Sequence, residues 1–367
     1  MQGVGNYKKK GEEMSWDDGW AALNLEMPAR VPHTEYSAEG HWELLQAVTG
    51  IAVAVDSPPE LKRKARDAFV GPQGWNLDLF WSTLIGGGEF GAWHTSMGHA
   101  VYAAGGVDWN TDIHSPFKGP EEVLRFDPEE ALGLRDQAEL IRRFEEHYRA
   151  NCQNNPGGVN MTGVYVTCIS GFIELFGWDL LLLAAGTDPK GFGELAGRYG
   201  RWIQHYFDAL GEADIPVVMV HDDNVWTQGP FIHPDWYRAY VFPNYQRHLA
   251  PLIASGKKIL FTADGTYTEF IDDLVACGVS GFVMEPTTDM EYVARKYGKT
   301  HSFIGNADTR ILLSGPRPAI RAEVERCMAI GKDCPGFFLA VGNHIPPNTP
   351  VEHCLYYDEV YRQLSRR

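Results

Sequence analysis

The feature that most constrains this chain is a rhythm: short apolar runs, each ending in a small polar cluster and each followed by a stretch of helical periodicity. Such runs stand at 163–170, 215–223, 258–264, 279–285, 301–306 and 336–343. The run at 215–223, Ile-Pro-Val-Val-Met-Val-His-Asp-Asp, is the clearest. An unbroken apolar stretch suits a strand buried on both faces, as the strands of a parallel sheet are. Between runs, the segment 192–210 sets Leu195, Tyr199, Trp202, Ile203 and Tyr206 at helical spacing. Strand, helix, strand in this order is βαβ repetition, which implies a parallel sheet with right-handed crossovers.

Earlier segments add to the count. Residues 76–81 mix alternation with aromatics and read as the first strand, and 101–109 as a weaker one. Eight strands in all favour an α/β fold of the TIM (β/α)8 barrel type over an open doubly wound sheet, because polar tips follow nearly every strand instead of gathering at one switch point. Residues 1–70 read as an N-terminal helical extension and residues from about 75 to 367 as the barrel. No Pro-, Gly- or Ser-rich linker follows residue 60, so a single domain is expected. In the extension, Trp42, Leu45 and Val48 predict a helix ended by Gly50, a second helix is predicted over 60–69, and residues 1–18 predict a flexible or surface-draped start. Residues 128–151 predict a charged amphipathic helix.

A net charge of -16 argues against a nucleic-acid partner, since phosphate binding draws on clustered Lys and Arg. The basic run Lys8 to Lys10 lies in a polar tail and reads as solvated. No apolar segment stands out as long enough to span a bilayer, and the polar start lacks the apolar core of a secretory signal, so a cytoplasmic location is expected. The six cysteines include no C-x-x-C pair, which suits reduced thiols. Cys277, Cys327 and Cys354 fall on helical segments and read as small core residues.

If the strands curl into a ring, their polar tips share one mouth. The tips carry His221, Asp222, Asp223, Asp264, Glu285, Asn306, Asp308, Asn343 and His344. Each alone suits a cap or loop. Several acids and a His at one opening point to a site, because like charges brought together must be separated by protons, a metal or a cationic ligand. The glycine-rich stretch 86–99 lacks the spacing of a phosphate loop and reads as a loop over the mouth, with Trp93, His94 and His99 as lining candidates.

The order of these segments resembles the uroporphyrinogen decarboxylase-like superfamily, and more closely its corrinoid-linked methyltransferase branch. The resemblance rests on the Asp-Asp pair followed by Gln228-Gly-Pro-x-Ile-x-Pro-x-x-Tyr, on Gly-Asn-x-Asp at 305–308, and on Gly-Asn-His-Ile-Pro-Pro-Asn-Thr-Pro at 342–350. It implies a TIM barrel with its ligand at the C-terminal mouth. Two departures narrow the activity. Ser82 stands where the decarboxylases carry a first-strand Asp, and their Arg-rich motif is absent, so porphyrinogen decarboxylation is not expected. In the thiol-methylating branch a zinc ion is held by His-x-Cys and a later Cys; here those places are Thr262-Ala-Asp264-Gly265 and the neighbourhood of Asn343, so a soft zinc site does not carry over.

The resemblance then implies a corrinoid-dependent methyltransferase or demethylase, moving a methyl group from a small methoxylated or methylamine-type donor to a corrinoid carried by a partner protein. Asp223, Asp222 and His221 are the expected catalytic residues, since a leaving heteroatom needs a proton or polarisation. Trp93, His94, Trp226, Tyr267, Asn306, Asp308 and Asn343 are expected to bind substrate. Asp264, Glu285 and His344 are the expected ligands of a divalent metal of open identity. A homodimer is left open. Two rival expectations remain: a metal-dependent decarboxylase or lyase of a small non-porphyrin acid on the same fold, and a non-catalytic ligand-binding subunit.

Overall fold

The computed structural model describes residues 15–97 and 114–367. The predicted rhythm becomes a parallel ladder. Strands β1 (Leu79–Phe80) and β2 (Val159–Asn160) pair with each other; β3 (Thr162–Val164), β4 (Val217–His221), β5 (Lys258–Thr262), β6 (Gly281–Val283), β7 (Ser302–Ile304) and β8 (Phe337–Phe338) pair in chain order. The longest register joins β4 to β5, with Val217 opposite Lys258 and His221 opposite Thr262.

Alternation along these strands separates two apolar layers. Val217, Met219, Leu260, Ile304 and Phe338 face the space inside the ladder, where Ala22 and Leu23 of the N-terminal helix Ser15–Leu23 join them. Val218, Val220, Ile259 and Phe261 face the surrounding helices. The start of the described chain is therefore an inserted helix, not a surface-draped segment. Its Gly19 lies so close to the backbone that a Cβ would stand 2.5 Å from the carbonyl oxygen of Asp78.

The helix Pro189–Glu212 buries Leu195, Tyr199, Trp202, Ile203 and Tyr206, as their spacing predicts, and the Asp188 carboxylate caps it by accepting from the Gly191 amide at 2.9 Å. The helix Trp42–Thr49 ends at Gly50, whose φ of 70° is left-handed, and the next helix spans Pro59–Val70. The long helix predicted over 128–151 is instead two, Pro128–Leu132 and Gln137–Asn154. Gly133 at φ 68° stops the first, and Asp136 caps the second. Cys277, Cys327 and Cys354 are buried, as expected. One expectation fails: the helix Ile169–Thr187 is long and apolar enough to cross a bilayer, and 67% of that stretch is buried inside the fold, as in a core helix.

The regular strands do not close a ring by themselves, since they fall into sheets of two and six strands. The strand predicted at 101–109 lies outside the described residues, as do Lys8 to Lys10 and His99. The gap beside β8 is spanned by a segment that the sequence assigns to the extension. Leu339 donates to the Pro32 carbonyl at 2.9 Å, Thr34 to the Leu339 carbonyl at 3.1 Å, and Asp78 to the His33 carbonyl at 2.8 Å. At this seam the fully buried Asp78 carboxylate receives both guanidinium nitrogens of Arg30, at 2.8 and 2.6 Å, and the His33 amide at 2.6 Å. Beside it, buried Glu35 takes His33 at 2.8 Å, the Tyr357 hydroxyl at 2.9 Å and the Val341 amide at 3.1 Å.

Candidate active site

Asp222 and Asp223 are adjacent in sequence and part company in space. Asp222 is fully buried on the helix side of β4. Its carboxylate accepts from the amides of Cys168 at 3.1 Å and Ser170 at 2.7 Å, and from the Tyr245 hydroxyl. Those amides open the helix Ile169–Thr187, so Asp222 anchors a helix N-terminus. Burial pushes its carboxyl up, and the bonds from Tyr245 and the amides oppose that. Expected as a catalytic residue, Asp222 spends its carboxylate on this anchor.

Asp223 turns to the strand tips. Its Oδ1 accepts from the Asp264 amide at 2.8 Å and lies 3.3 Å from His221 Nε2. Its own amide donates to the Ser170 hydroxyl at 2.8 Å. His221, inward-facing like Met219 and Val217, is stacked on Tyr165 with ring centroids 3.8 Å apart and planes at 8°. His221 Nδ1 stands 3.0 Å from the Tyr165 carbonyl and 3.3 Å from the Ser170 hydroxyl. A carbonyl only accepts, so the nearer contact places a hydrogen on Nδ1. Nε2 is then free to accept a proton, or as part of an imidazolium to donate one to Asp223, so the pair has the geometry to share a proton.

Across the mouth, Glu285 accepts from the Gly265 amide at 2.7 Å and from the Asn343 amide at 2.5 Å. The same Asn343 nitrogen stands 3.5 Å from Asp264 Oδ1, the outer limit of a hydrogen bond. Gly265 has φ 88°, and a Cβ there would meet the Trp226 carbonyl carbon at 2.6 Å, so the turn that presents its amide needs glycine. Tyr36 and Tyr165 share this opening. Burial and the charges of Asp264 and Asp223 push the Tyr36 hydroxyl up, and burial with Asp223, Tyr36, Asp264 and Glu174 does the same for Tyr165. On the Tyr165 side, His94 Nε2 meets Glu174 Oε2 at 2.5 Å.

The remaining expected residues divide. Trp226 is 47% exposed at the rim, beside Trp178 and Phe231 with centroids 5.8 and 5.4 Å away. Four others expected to bind substrate are engaged within the fold. Trp93 packs against Phe117 and Phe126, at 5.4 and 5.2 Å. Tyr267 is fully buried and its hydroxyl donates to the Val283 carbonyl at 2.6 Å. Asn306 is buried, donates to the carbonyls of Glu285 and Thr288 at 3.1 Å each, and accepts from Arg326 at 2.9 Å. Asp308 caps the helix Thr309–Ser314 and pairs with Arg310 at 2.7 Å.

The expected metal set does not assemble. Among the described residues no three His, Cys, Asp or Glu side chains converge in a way that would hold a metal ion. His344 instead bonds Ser37 through Nδ1 at 2.8 Å and meets the Tyr36 ring edge-on at 4.8 Å, and burial lowers its basicity. Sequence reasoning missed Tyr36, Tyr165, Ser170, Glu174 and Thr262. The alternation of β3 and β5 carries the signal for Tyr165 and Thr262, since each continues the inward-facing positions of its strand.

Parallel strands in chain order, enclosing helices and a polar opening at the strand tips define an α/β protein of the TIM-barrel type with its candidate site where such folds carry them. The uroporphyrinogen decarboxylase (URO-D) family profile matches residues 112–363, more than half of the chain. The chain belongs to that family. Curated relatives include uroporphyrinogen decarboxylases from Coxiella burnetii, 27% identical over 44% of this chain and 44% of that protein, and from Chloroflexus aggregans, 26% identical over 67% of this chain and 68% of that protein. The chain thus spans less than half the length of the first of these relatives. Among solved structures, a methyltransferase from Methanosarcina mazei shares the fold, with a TM-score of 0.62, 16% identity and coverage of 96% of this chain and 99% of that one.

Proposed function

We propose that this protein is a methyltransferase that moves a methyl group from a small methylated donor to a reduced corrinoid presented by a partner protein. One observation carries the reading: the His221–Asp223 pair, which has the geometry to share a proton at the strand tips beside two tyrosines and two further carboxylates. When a methyl–heteroatom bond breaks, the heteroatom keeps the bonding electrons, and it leaves far more readily carrying a proton. Asp223 is placed to donate that proton or to keep it on the departing atom. His221, fixed by the Tyr165 carbonyl and the Tyr165 ring, replenishes it.

The corrinoid supplies a strongly nucleophilic metal centre that accepts the methyl group. The exposed Trp226, with Trp178 and Phe231 beside it, would offer the flat ring of the corrinoid an apolar ledge. The fold shared with the Methanosarcina mazei methyltransferase supports the reading, and the absence of the decarboxylase Asp at Ser82 argues against the activity named for the curated relatives. His344 bonds Ser37, and Asp264 and Glu285 share the amide of Asn343, so a divalent ion bound by these three residues would have to displace those hydrogen bonds. The test is to mix the protein with a reduced corrinoid and methylated ethers or amines and to follow the cobalt absorption. Methylation by a donor class supports the proposal; no spectral change with any class refutes it.

A further inference from the structure

The floor of the mouth contains a buried hydroxyl without a hydrogen-bond partner. Thr262 ends β5, is 9% exposed, and its Oγ1 makes no hydrogen bond. Its direction follows from its strand: Leu260 belongs to the layer inside the ladder, while Phe261 and Ala263 belong to the outer one, so Thr262 faces inward. It stands opposite His221 in the register, on the same face, two residues before Asp264. A buried hydroxyl left unmet is costly, and in a functional cleft that cost is offset when a ligand meets it.

The surroundings of Thr262 select the charge of that ligand. Asp264 and Glu285 share the neutral amide of Asn343, Glu285 also takes the Gly265 amide, and Arg310, a cation within electrostatic reach of Glu285, is itself paired with Asp308, so carboxylates predominate on this side of the mouth. Tyr36 and Tyr165 lie within electrostatic reach of Asp223 and Asp264 and offer aromatic rings to whatever sits between. Carboxylates together with aromatic rings favour a small organic cation over a neutral ether or an acid.

Resting on the methyl-transfer reading, we infer that the methyl donor is a protonated methylamine, held in the mouth with its N–H directed to Thr262 Oγ1 and its charge facing Asp223, Asp264 and Glu285. The chemistry balances without an added proton. The C–N bond breaks, its electron pair stays on nitrogen, the methyl group passes to the reduced corrinoid, and the neutral amine leaves with the hydrogen it brought. The carboxylates keep that hydrogen in place while the amine is stripped of water. An ether would have to draw the proton from the His221–Asp223 pair instead.

Calorimetric titration of the full chain with trimethylammonium chloride, neutral tert-butanol and trimethylacetate compares three solutes of one branched shape and different charge. Trimethylammonium is expected to bind roughly tenfold or more tightly than tert-butanol. Thr262→Val should weaken that binding about fivefold, as the loss of one hydrogen bond does, and Thr262→Ser should retain it. Equal affinity for tert-butanol, or unchanged ammonium binding in Thr262→Val, overturns the inference. The two readings fail separately. Tight, Thr262-dependent ammonium binding without cobalt methylation upholds this inference and removes the methyl-transfer reading; methylation by anisole with no ammonium binding does the reverse.

Discussion

At the seam, Asp78 is enclosed by the Arg30 guanidinium and the His33 amide, and Glu35 by His33, Tyr357 and the Val341 amide. At the mouth, Asp223 accepts the Asp264 amide and faces one imidazole, while Glu285 accepts the Gly265 amide and shares the amide of Asn343 with Asp264. The seam therefore sets its buried acids among fixed donors of its own, including a permanent cation, and its groups have a single arrangement to occupy. The mouth holds a pair with the geometry to share a proton and carboxylates arranged to receive a cation. Both regions are dense in ionisable groups, so density alone does not mark a site. What separates them is the permanent cation: Arg30 grips Asp78 at the seam, whereas Asp223, Asp264 and Glu285 at the mouth meet neutral amides and an imidazole.

This contrast can be broken by substitution, and the size of the effect should differ by region. Asp223→Asn takes away the carboxylate that faces both His221 and the donor, and is expected to lower methyl transfer about 10²–10⁴-fold, with the melting temperature nearly unchanged; a cobalt-methylation assay beside a thermal melt reads both. At the seam, Arg30→Met leaves Asp78 buried without its cation and should cost about 3–5 kcal/mol in urea unfolding. Asp222→Ala strands the amides of Cys168 and Ser170 and the Tyr245 hydroxyl, for a loss of about 1–3 kcal/mol. Neighbouring acids would then give opposite phenotypes, Asp222 in stability and Asp223 in turnover. Equal phenotypes would dissolve the distinction.

A smaller effect appears in acid. His248, bonded to Gln204 at 2.8 Å and stacked on Phe207 at 4.8 Å, is pulled down from 6.5 to about 3 by burial and by the charge of Arg247. Because its folded value is depressed, stability is full above 6.5 and falls as pH drops through the window toward about 3, where the unfolded chain binds a proton that the native one refuses. His248→Gln should flatten the dependence of the urea midpoint on pH across that window. This group lies in neither region, so its loss should leave methyl transfer intact.

The ladder β3 to β8 was legible in the sequence because each strand is an apolar run stopped by a polar cluster, a pattern set by burial on both faces. The seam was not, because the segment around His33 is short and joins the ring through backbone bonds to Leu339 and Asp78, with no periodicity to announce it. Within the site, the sequence located the tips at Asp223, Asp264, Glu285 and Asn343. It could not rank Asp222 against Asp223, since which acid turns outward depends on where β4 ends. Nor could it tell that Asn306 and Tyr267 would spend their polar groups on backbone carbonyls. Thr262 was visible only as a departure from a zinc-binding pattern, and its unmet hydroxyl is a property of the folded chain.

Nitrogen NMR of the protein labelled at histidine reads directly whether His221 carries a hydrogen on Nδ1 and shares a further proton with Asp223 through Nε2, with Asp223→Asn assigning the resonance. A protonated Nδ1 is expected, together with an Nε2 signal that moves when Asp223 is replaced. A bare Nδ1 with its hydrogen fixed on Nε2, unaltered in the variant, would contradict that arrangement.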